Sequence, residues 1–334
     1  MGWNYKIIVF SFLAFVTIVC HSFIQRYEKN GHEMLSDNWS FYTPKNGKAW
    51  IKDNELHLFS RDKGKSVSIQ QNILSFVHGS ILELSADMKC SDVSPGKKSW
   101  NHARFMLVQQ DGRKDRWDIP YRVASLTGSR KWQRYTKVFT IGHDIKKIRV
   151  SAQLSRCTGS FQLRNIHFFY VNQTHIYTWV KTGILISWAV FAVFLMGSWF
   201  YCCEKTIALR VMLALAFIAI IAGTAMPGNM KAQVLKGVKS DIHATGGVLK
   251  NTTPWDLSKI GHFCFFAVFA LIFSVMLGRR SILLVILNIL LVAGGTELSQ
   301  LFIDGRTPLF RDFVIDLTGG FTGISLVSWF GCFV

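Results

Sequence analysis

The chain has 334 residues, 50% of them hydrophobic, and a formal net charge of +18; that length admits one membrane domain plus one ordinary globular domain. The basic residues alternate with strand-forming residues and make no long run, which argues against nucleic acid as a partner. No CxxC or Cys/His metal spacing occurs, so no metal and no cofactor is implied.

Apolar runs of about 20 residues read as transmembrane helices. The first is Tyr5–Ile24. It is long, and no small-x-small cleavage site follows it, so residues 1–25 read as an uncleaved anchor rather than a signal peptide. Val16-Thr17-Ile18-Val19-Cys20 resembles a lipoprotein signal, but bulky Val19 before the Cys makes it a poor one.

A polar stretch, residues 36–171, follows. Candidate strands are Lys48–Phe59, Ser66–Leu74, Ser80–Cys90, Ala103–Gln110, Tyr135–Ile141, Lys147–Leu154 and Ser160–Tyr170. Pro95-Gly96, Asp111-Gly112, Gly128-Ser129 and Thr158-Gly159 separate several of them as turns. Short strands at regular spacing predict an antiparallel β-sandwich, jelly-roll-like in type, so the fold class is α+β multidomain membrane protein. About 130 residues can bury a core of their own. Residues 25–176 hold 25 Lys and Arg against 13 Asp and Glu, a net of +12. Such a charge favours acidic partners or an anionic surface.

Cys90 and Cys157 are the only cysteines of this stretch. They read equally as a disulfide or as two unpaired buried thiols. Trp39, Trp50, Trp100, Trp117 and Trp132 each read first as core; as stacking platforms for sugar they would expose their ring faces. Trp100 is the best exception, because Asp92–His102 is a polar loop. Asn38-Trp39-Ser40, Asn172-Gln173-Thr174 and Asn251-Thr252-Thr253 match the glycosylation sequon. Gln70-Gln71, Leu126-Thr127-Gly128 with Trp132-Gln133, and Gly159-Ser160-Phe161 leading to Asn165-Ile166 resemble the galactose-binding-like jelly-roll family. The resemblance implies glycan binding.

Five more apolar segments follow: Thr178–Cys202, Ile207–Met226, Ile260–Leu277, Ser281–Leu301 and Phe313–Phe333. Cys202 and Cys203, at the end of the first of these, read as helix-end thiols or as acylation sites. Short loops set the orientation through their Lys and Arg. Arg279-Arg280, Glu204-Lys205 with Arg210, and Lys6 agree if both termini are cytosolic. Lys231, Lys236, Lys239 and Lys250 in the loop Pro227–Lys259 run against it. In that orientation the sandwich, Pro227–Lys259 and Phe302–Arg311 lie outside.

The polar residues of the last three segments then gather at one membrane face. Asp256 and Ser258 are N-cap candidates for the fourth helix. Lys259 and His262 are one turn apart, and His is the side chain best suited to proton exchange near neutral pH. Glu297 and Gln300 share a face at the end of the fifth helix. Gly305 permits an unusual turn, and Arg306 offers a planar fork for carboxylate or phosphate. Asp312 and Asp316 are one turn apart on the sixth helix, followed by Gly319, Gly320 and Gly323, which permit close helix approach. The plain alternatives are a structural His, a Glu paired with Arg or Lys, and an Arg that snorkels to the interface.

Lys259-x-x-His262-Phe263, Glu297-x-x-Gln300, Gly305-Arg306, Asp312 and Gly319-Gly320 together resemble the VanZ-like family over about residues 208–331, within a membrane domain drawn at 207–334. The family pattern has Asn where Asp316 stands. The resemblance implies envelope biology and glycopeptide resistance without naming a reaction. One expectation is an outer-leaflet enzyme with catalytic His262, Glu297 and Asp312, and with Lys259, Gln300, Arg306 and Asp316 holding a lipid-linked or phosphate-bearing glycan. The other is a non-catalytic binder of envelope glycan or glycopeptide. Membrane lipids are partners in either case. Transport is disfavoured, because no inverted repeat occurs.

Overall fold

The computed structural model describes residues 3–202, 206–226, 230, 257–278 and 282–330. Asp256, the four lysines of residues 231–250, Asn251-Thr252-Thr253, Cys203, Glu204-Lys205 and Arg279-Arg280 lie outside them, as do the side chains of Cys202 and Ser258. The chain forms two compact units, Arg26–Thr174 and a helical unit built from the segments before and after it.

Arg26–Thr174 contains two antiparallel sheets. Its strands are β1 (Tyr27–Asn30), β2 (Ser40–Tyr42), β3 (Gly47–Lys52), β4 (Glu55–Ser60), β5 (Val67–Ile73), β6 (Ile81–Ser94), β7 (Ala103–Gln110), β8 (Arg122–Leu126), β9 (Gly128–Thr140), β10 (Lys147–Leu154) and β11 (Thr158–Gln173). One sheet runs β3-β4-β11-β6-β9, with β1 also on β11, and the other runs β2-β5-β10-β7-β8. Side chains alternate across a strand, so Leu56 and Leu58 enter the core while Glu55 and His57 stay partly exposed. Phe105, Phe139, Phe161 and Phe168 are fully buried between the sheets. Each such ring contributes up to about 3 kcal/mol of burial.

The predicted strand Lys48–Phe59 is a hairpin. Asp53 and Asn54 take φ of 51° and 60°, the left-handed pair that a tight hairpin turn requires. β1, β2 and β8 were not expected. β1 and β2 are short and mostly exposed, so no alternation marks them. Among the tryptophans, Trp50 and Trp117 differ from expectation. Trp39 packs partly buried against the core. Trp50, Trp100 and Trp117 are 41%, 48% and 50% exposed. Trp132 is half-buried beneath the Arg164 guanidinium, 4.3 Å from its ring centre.

Cys90 and Cys157 are buried and unpaired. Burial pushes the Cys157 thiol up to about 11, so thiolate is scarce at neutral pH.

The helical unit contains α1 (Trp3–Phe23), α2 (His175–Cys202), α3 (Ile207–Ala225), α4 (Leu257–Leu277), α5 (Ile282–Ser299) and α6 (Phe310–Phe330). Among the described residues, five helical stretches are long and apolar enough to cross a membrane: Trp3–Phe23, His175–Tyr201, Ile207–Ala225, Lys259–Leu277 and Ile282–Phe302. The sixth expected span forms a helix, α6, but is not among the five. Asp316, four threonine and serine side chains and three glycines dilute its apolar content. Polar side chains inside the bundle bond across helices. The Trp188 indole donates to the Thr17 hydroxyl at 3.0 Å, and Trp199 donates to Asn288 at 2.9 Å.

α4 and α6 make the most extensive helix pairing. A Cβ on Gly319 would sit 2.3 Å from the Phe263 carbonyl oxygen, and one on Gly323 would sit 2.2 Å from that of Ala267. Backbone-to-backbone approach of this kind needs a residue without a Cβ.

Gly319→Ala is expected to lower the thermal midpoint in detergent, at an overpacking cost of about 1–3 kcal/mol. Gly183→Ala, whose Cβ would meet nothing within 4 Å, is the neutral control. Thiol reagents at pH 8 are expected to leave Cys90 and Cys157 unmodified until the sandwich is denatured, as read by peptide mass. Modification of the native protein would show that these thiols are not held in the core.

Candidate functional site

Four chain segments converge at one end of the helical unit: the end of α3, the start of α4, the turn after α5, and the start of α6. His262 lies on the second turn of α4. It is 9% exposed, and its Nδ1 stands 3.1 Å from Asp316 Oδ1 on α6. Asp316 is fully buried. A carboxylate only accepts hydrogen bonds. An ionised Asp316 therefore fixes the proton on Nδ1 and leaves Nε2 as the ring's accepting atom.

Glu297 sits at the end of α5, 7% exposed. Its Oε2 accepts the Leu309 backbone N–H at 3.0 Å. Leu309 directly precedes α6, so Glu297 places its carboxylate at a helix N-terminus. The unpaired amides and the helix dipole there both favour an anion. Gln300, buried in the 3₁₀ turn Gln300–Phe302, directs its amide toward Glu297 Oε1 at 3.4 Å. His262, Asp312 and Asp316 all lie within electrostatic range of Glu297. Asp312 is half-buried, and its Oδ1 is a buried acceptor with no hydrogen-bond partner among the described residues. The carboxylate beside His262 is that of Asp316, one turn further into α6 than Asp312.

Arg306 follows Gly305, whose φ of +72° turns the chain back. Its Nε donates to the Met226 carbonyl and its Nη2 to the Gly223 carbonyl, both at 2.8 Å. These are the terminal carbonyls of α3, which carry the negative end of that helix's dipole. Burial lowers the Arg306 pKa from its ordinary value, while Glu297 and Asp312 act to raise it. The guanidinium thus caps α3 and ties it to the α5–α6 turn. Lys259 is half-buried on the first turn of α4. Among the described residues it makes no ion pair. No three His, Cys, Asp or Glu of the described residues gather closely enough to hold a metal ion.

Beside this cluster lies a feature with no clear sequence signal. An apolar cavity of about 280 Å³ runs between α2, α3 and α5, from Leu195 and Phe217 toward Thr224, Ser299 and Ile303. Its lining covers Phe217–Ala225 of α3 and Leu291–Ser299 of α5, a length of roughly 12 Å at about 1.5 Å per residue. Thr224 and Ala225 adjoin the carbonyls that Arg306 holds, and Thr296 precedes Glu297 in sequence.

These helices and this cluster define a membrane-type bundle organised around buried polar groups at one end. Residues 184–331 match the VanZ/LLP1 family model. The match begins inside α2, ahead of residue 208, where the sequence resemblance started. Comparison with curated proteins finds no match. Among solved structures, the chain is similar to the CBM22-1 xylan-binding domain from Paenibacillus barcinonensis Xyn10C, at 13% identity and a TM-score of 0.30, over 44% of this chain and 99% of that one. It is also similar to the family 29 carbohydrate-binding module CBM29_1 from Piromyces equi, at 15% identity and a TM-score of 0.26, over 43% and 89%. A third is the enzymatically active domain of the bacteriophage CBA120 tailspike protein 4, at 11% identity and a TM-score of 0.31. The similarity there covers 41% of this chain but only 21% of the tailspike.

Arg306→Gln is expected to lower the thermal midpoint in detergent, because two carbonyls at the end of α3 lose a charged donor, at about 1.5–3 kcal/mol per charge-assisted bond. Arg306→Lys is expected to recover only part of it, since one ammonium cannot reproduce the fork across two carbonyls. Full recovery by lysine would mean that charge alone, not the fork, holds this turn.

Proposed function

We propose that this chain is a VanZ-like protein of a bacterial inner membrane that acts at the outer leaflet on a lipid-linked or phosphate-bearing glycan. In this reading the chain crosses the bilayer six times with both termini in the cytosol, and the sandwich and the polar cluster face outward. The observation that carries it is the buried His262–Asp316 pair, set near Glu297 with an apolar cavity beside the cluster. The cavity would take an alkyl segment of a lipid carrier, while the polar end would meet its head group. His262 Nε2 is the candidate atom for proton exchange, and Asp316 is the residue that positions it. Glu297 and Asp312 shape the field around it, and Lys259 is the candidate cation for an anionic head group. Preorganised groups in a low-dielectric site have the largest effect on developing charge.

A second reading has its own observation. Trp50, Trp100 and Trp117 are partly exposed on the sandwich, as aromatic contacts of a binder of envelope glycan or glycopeptide without chemistry would need to be. The two readings separate in one experiment on the purified full-length protein in nanodiscs, supplied with lipid-linked glycan. His262→Ala and Glu297→Gln are expected to abolish turnover at unchanged membrane abundance, with Trp100→Ala retaining it. Unchanged turnover in both cluster variants would reject the catalytic reading. Loss of glycan retention in Trp100→Ala alone would establish the binder.

A further inference from the structure

We propose that one end of the sandwich is a bilayer-contact surface for anionic lipid head groups, and that it is the end from which the chain passes into α1 and α2. Three loops and the chain exit form this end. β1 and β11 pair Tyr27 with Gln173, and the Thr174 N–H donates to the Arg26 carbonyl at 3.1 Å. The two strands that join the sandwich to membrane-capable helices therefore leave it side by side.

The β5–β6 loop lies against this exit, because the Val77 N–H donates to the Tyr170 hydroxyl at 3.0 Å. Tyr170 is three residues before Gln173, or roughly 10 Å along a strand. Backbone bonds extend the surface from there. Gly79 N–H donates to the Ile141 carbonyl and Ile141 N–H to that of Ser80, both at 2.9 Å, which joins the β5–β6 loop to the β9–β10 loop. Lys146 N–H donates to the Gln110 carbonyl at 2.8 Å, which joins the β9–β10 loop to the β7–β8 loop.

The side chains of this end have the composition of an interfacial anchor. Leu74 is 97% exposed, Val77 63% and Trp117 50%. An isolated soluble domain gains nothing by holding Leu74 and Val77 in water, whereas a head-group layer accepts both. Arg113, Lys114, Lys146 and Lys147 are exposed around them. The nearby acids are engaged. Asp111 accepts the Arg113 and Lys114 backbone N–H groups, while Asp118 and Asp144 bond Arg116. Aromatic, aliphatic and basic side chains together are what the membrane–water interface selects, and clustered cations near a surface bind anionic lipid.

The opposite end has a related composition. Trp100 is exposed there, with Lys98 Nζ 5.0 Å from its ring centre. Only the first end carries the chain exits, so the tether selects which end meets lipid. Trp100 is therefore a stringent control.

The test uses the full-length protein in nanodiscs of phosphatidylcholine with a quarter phosphatidylglycerol. The photoreactive residue p-benzoylphenylalanine replaces Leu74 in one variant and Trp100 in another, and lipid adducts are measured by mass spectrometry. Adducts at position 74 are expected in several-fold excess over position 100. They are expected to fall several-fold in pure phosphatidylcholine, or when Lys114→Glu, Lys146→Glu and Lys147→Glu are combined. Equal yields at the two positions would overturn the contact surface, and equal yields in the two lipid compositions would overturn its preference for anionic head groups. A soluble anionic polysaccharide that shields position 74 in detergent, with no lipid adduct in nanodiscs, would assign this end to a polymer and overturn the proposal.

Discussion

The close approach of α6 to α4 is the contact on which the rest of the helical unit depends. Asp316 faces His262, Gly319 faces the Phe263 carbonyl, and Gly323 faces that of Ala267. The pairs advance in the same direction along both helices, so α4 and α6 run parallel. The glycines set a backbone distance that Cβ atoms would forbid, and that distance brings a buried carboxylate within 3.1 Å of an imidazole nitrogen. A larger residue at position 319 would move the carboxylate away from its partner. Because a charge left alone at that depth is costly, packing and electrostatics at this seam stabilise each other.

The same economy governs the other polar groups. An apolar bundle offers no water to stray donors or acceptors. Trp188 and Trp199 bond across helices, Glu297 accepts from the chain just before α6, and Arg306 spans the last carbonyls of α3. Glu297 and Arg306 thus close two opposite helix ends, the carboxylate at an N-terminus and the guanidinium at a C-terminus, each on the side the dipole favours. The turn between α5 and α6 supplies both connections, which fixes a short loop without a disulfide or a metal.

Helical segments were legible because an apolar run of membrane length has few other readings, and the spacing of His262, Glu297, Arg306 and Asp312 was enough to gather them at one end. What the sequence did not disclose were the bonds across long separations. Arg306 meets carbonyls 80 and 83 residues earlier, and backbone acceptors leave no trace in residue identity. The pairing of His262 with Asp316 rather than Asp312 turns on which helical face Gly319 presses inward, a matter of three-dimensional register. In the sandwich, central strands declared themselves by alternation, and Ala103–Gln110 and Lys147–Leu154 were located to the residue. Edge strands β1 and β2 have little to bury, and the Asp53-Asn54 turn lacks the glycine that normally announces one. Trp50 and Trp117 were misread for a related reason, since residue type sets what a ring can bury and not whether a neighbour covers it, whereas the polar loop around Trp100 marked it as exposed.

In the proposed catalytic reading, the chemistry narrows to His262. Arg306 already spends two of its donors on α3, and the Glu297 carboxylate already serves Leu309 and Gln300. Both side chains therefore build the site as well as face it. The imidazole differs, because its bond to Asp316 engages one nitrogen and, with that carboxylate ionised, leaves the other as the accepting atom. Asp312 Oδ1, buried without a hydrogen-bond partner among the described residues, is another polar atom at this end with unused capacity. Buried acceptors without partners are uncommon in settled structure. In the proposed reading, these two atoms, His262 Nε2 and Asp312 Oδ1, would meet the head group of the lipid-linked substrate.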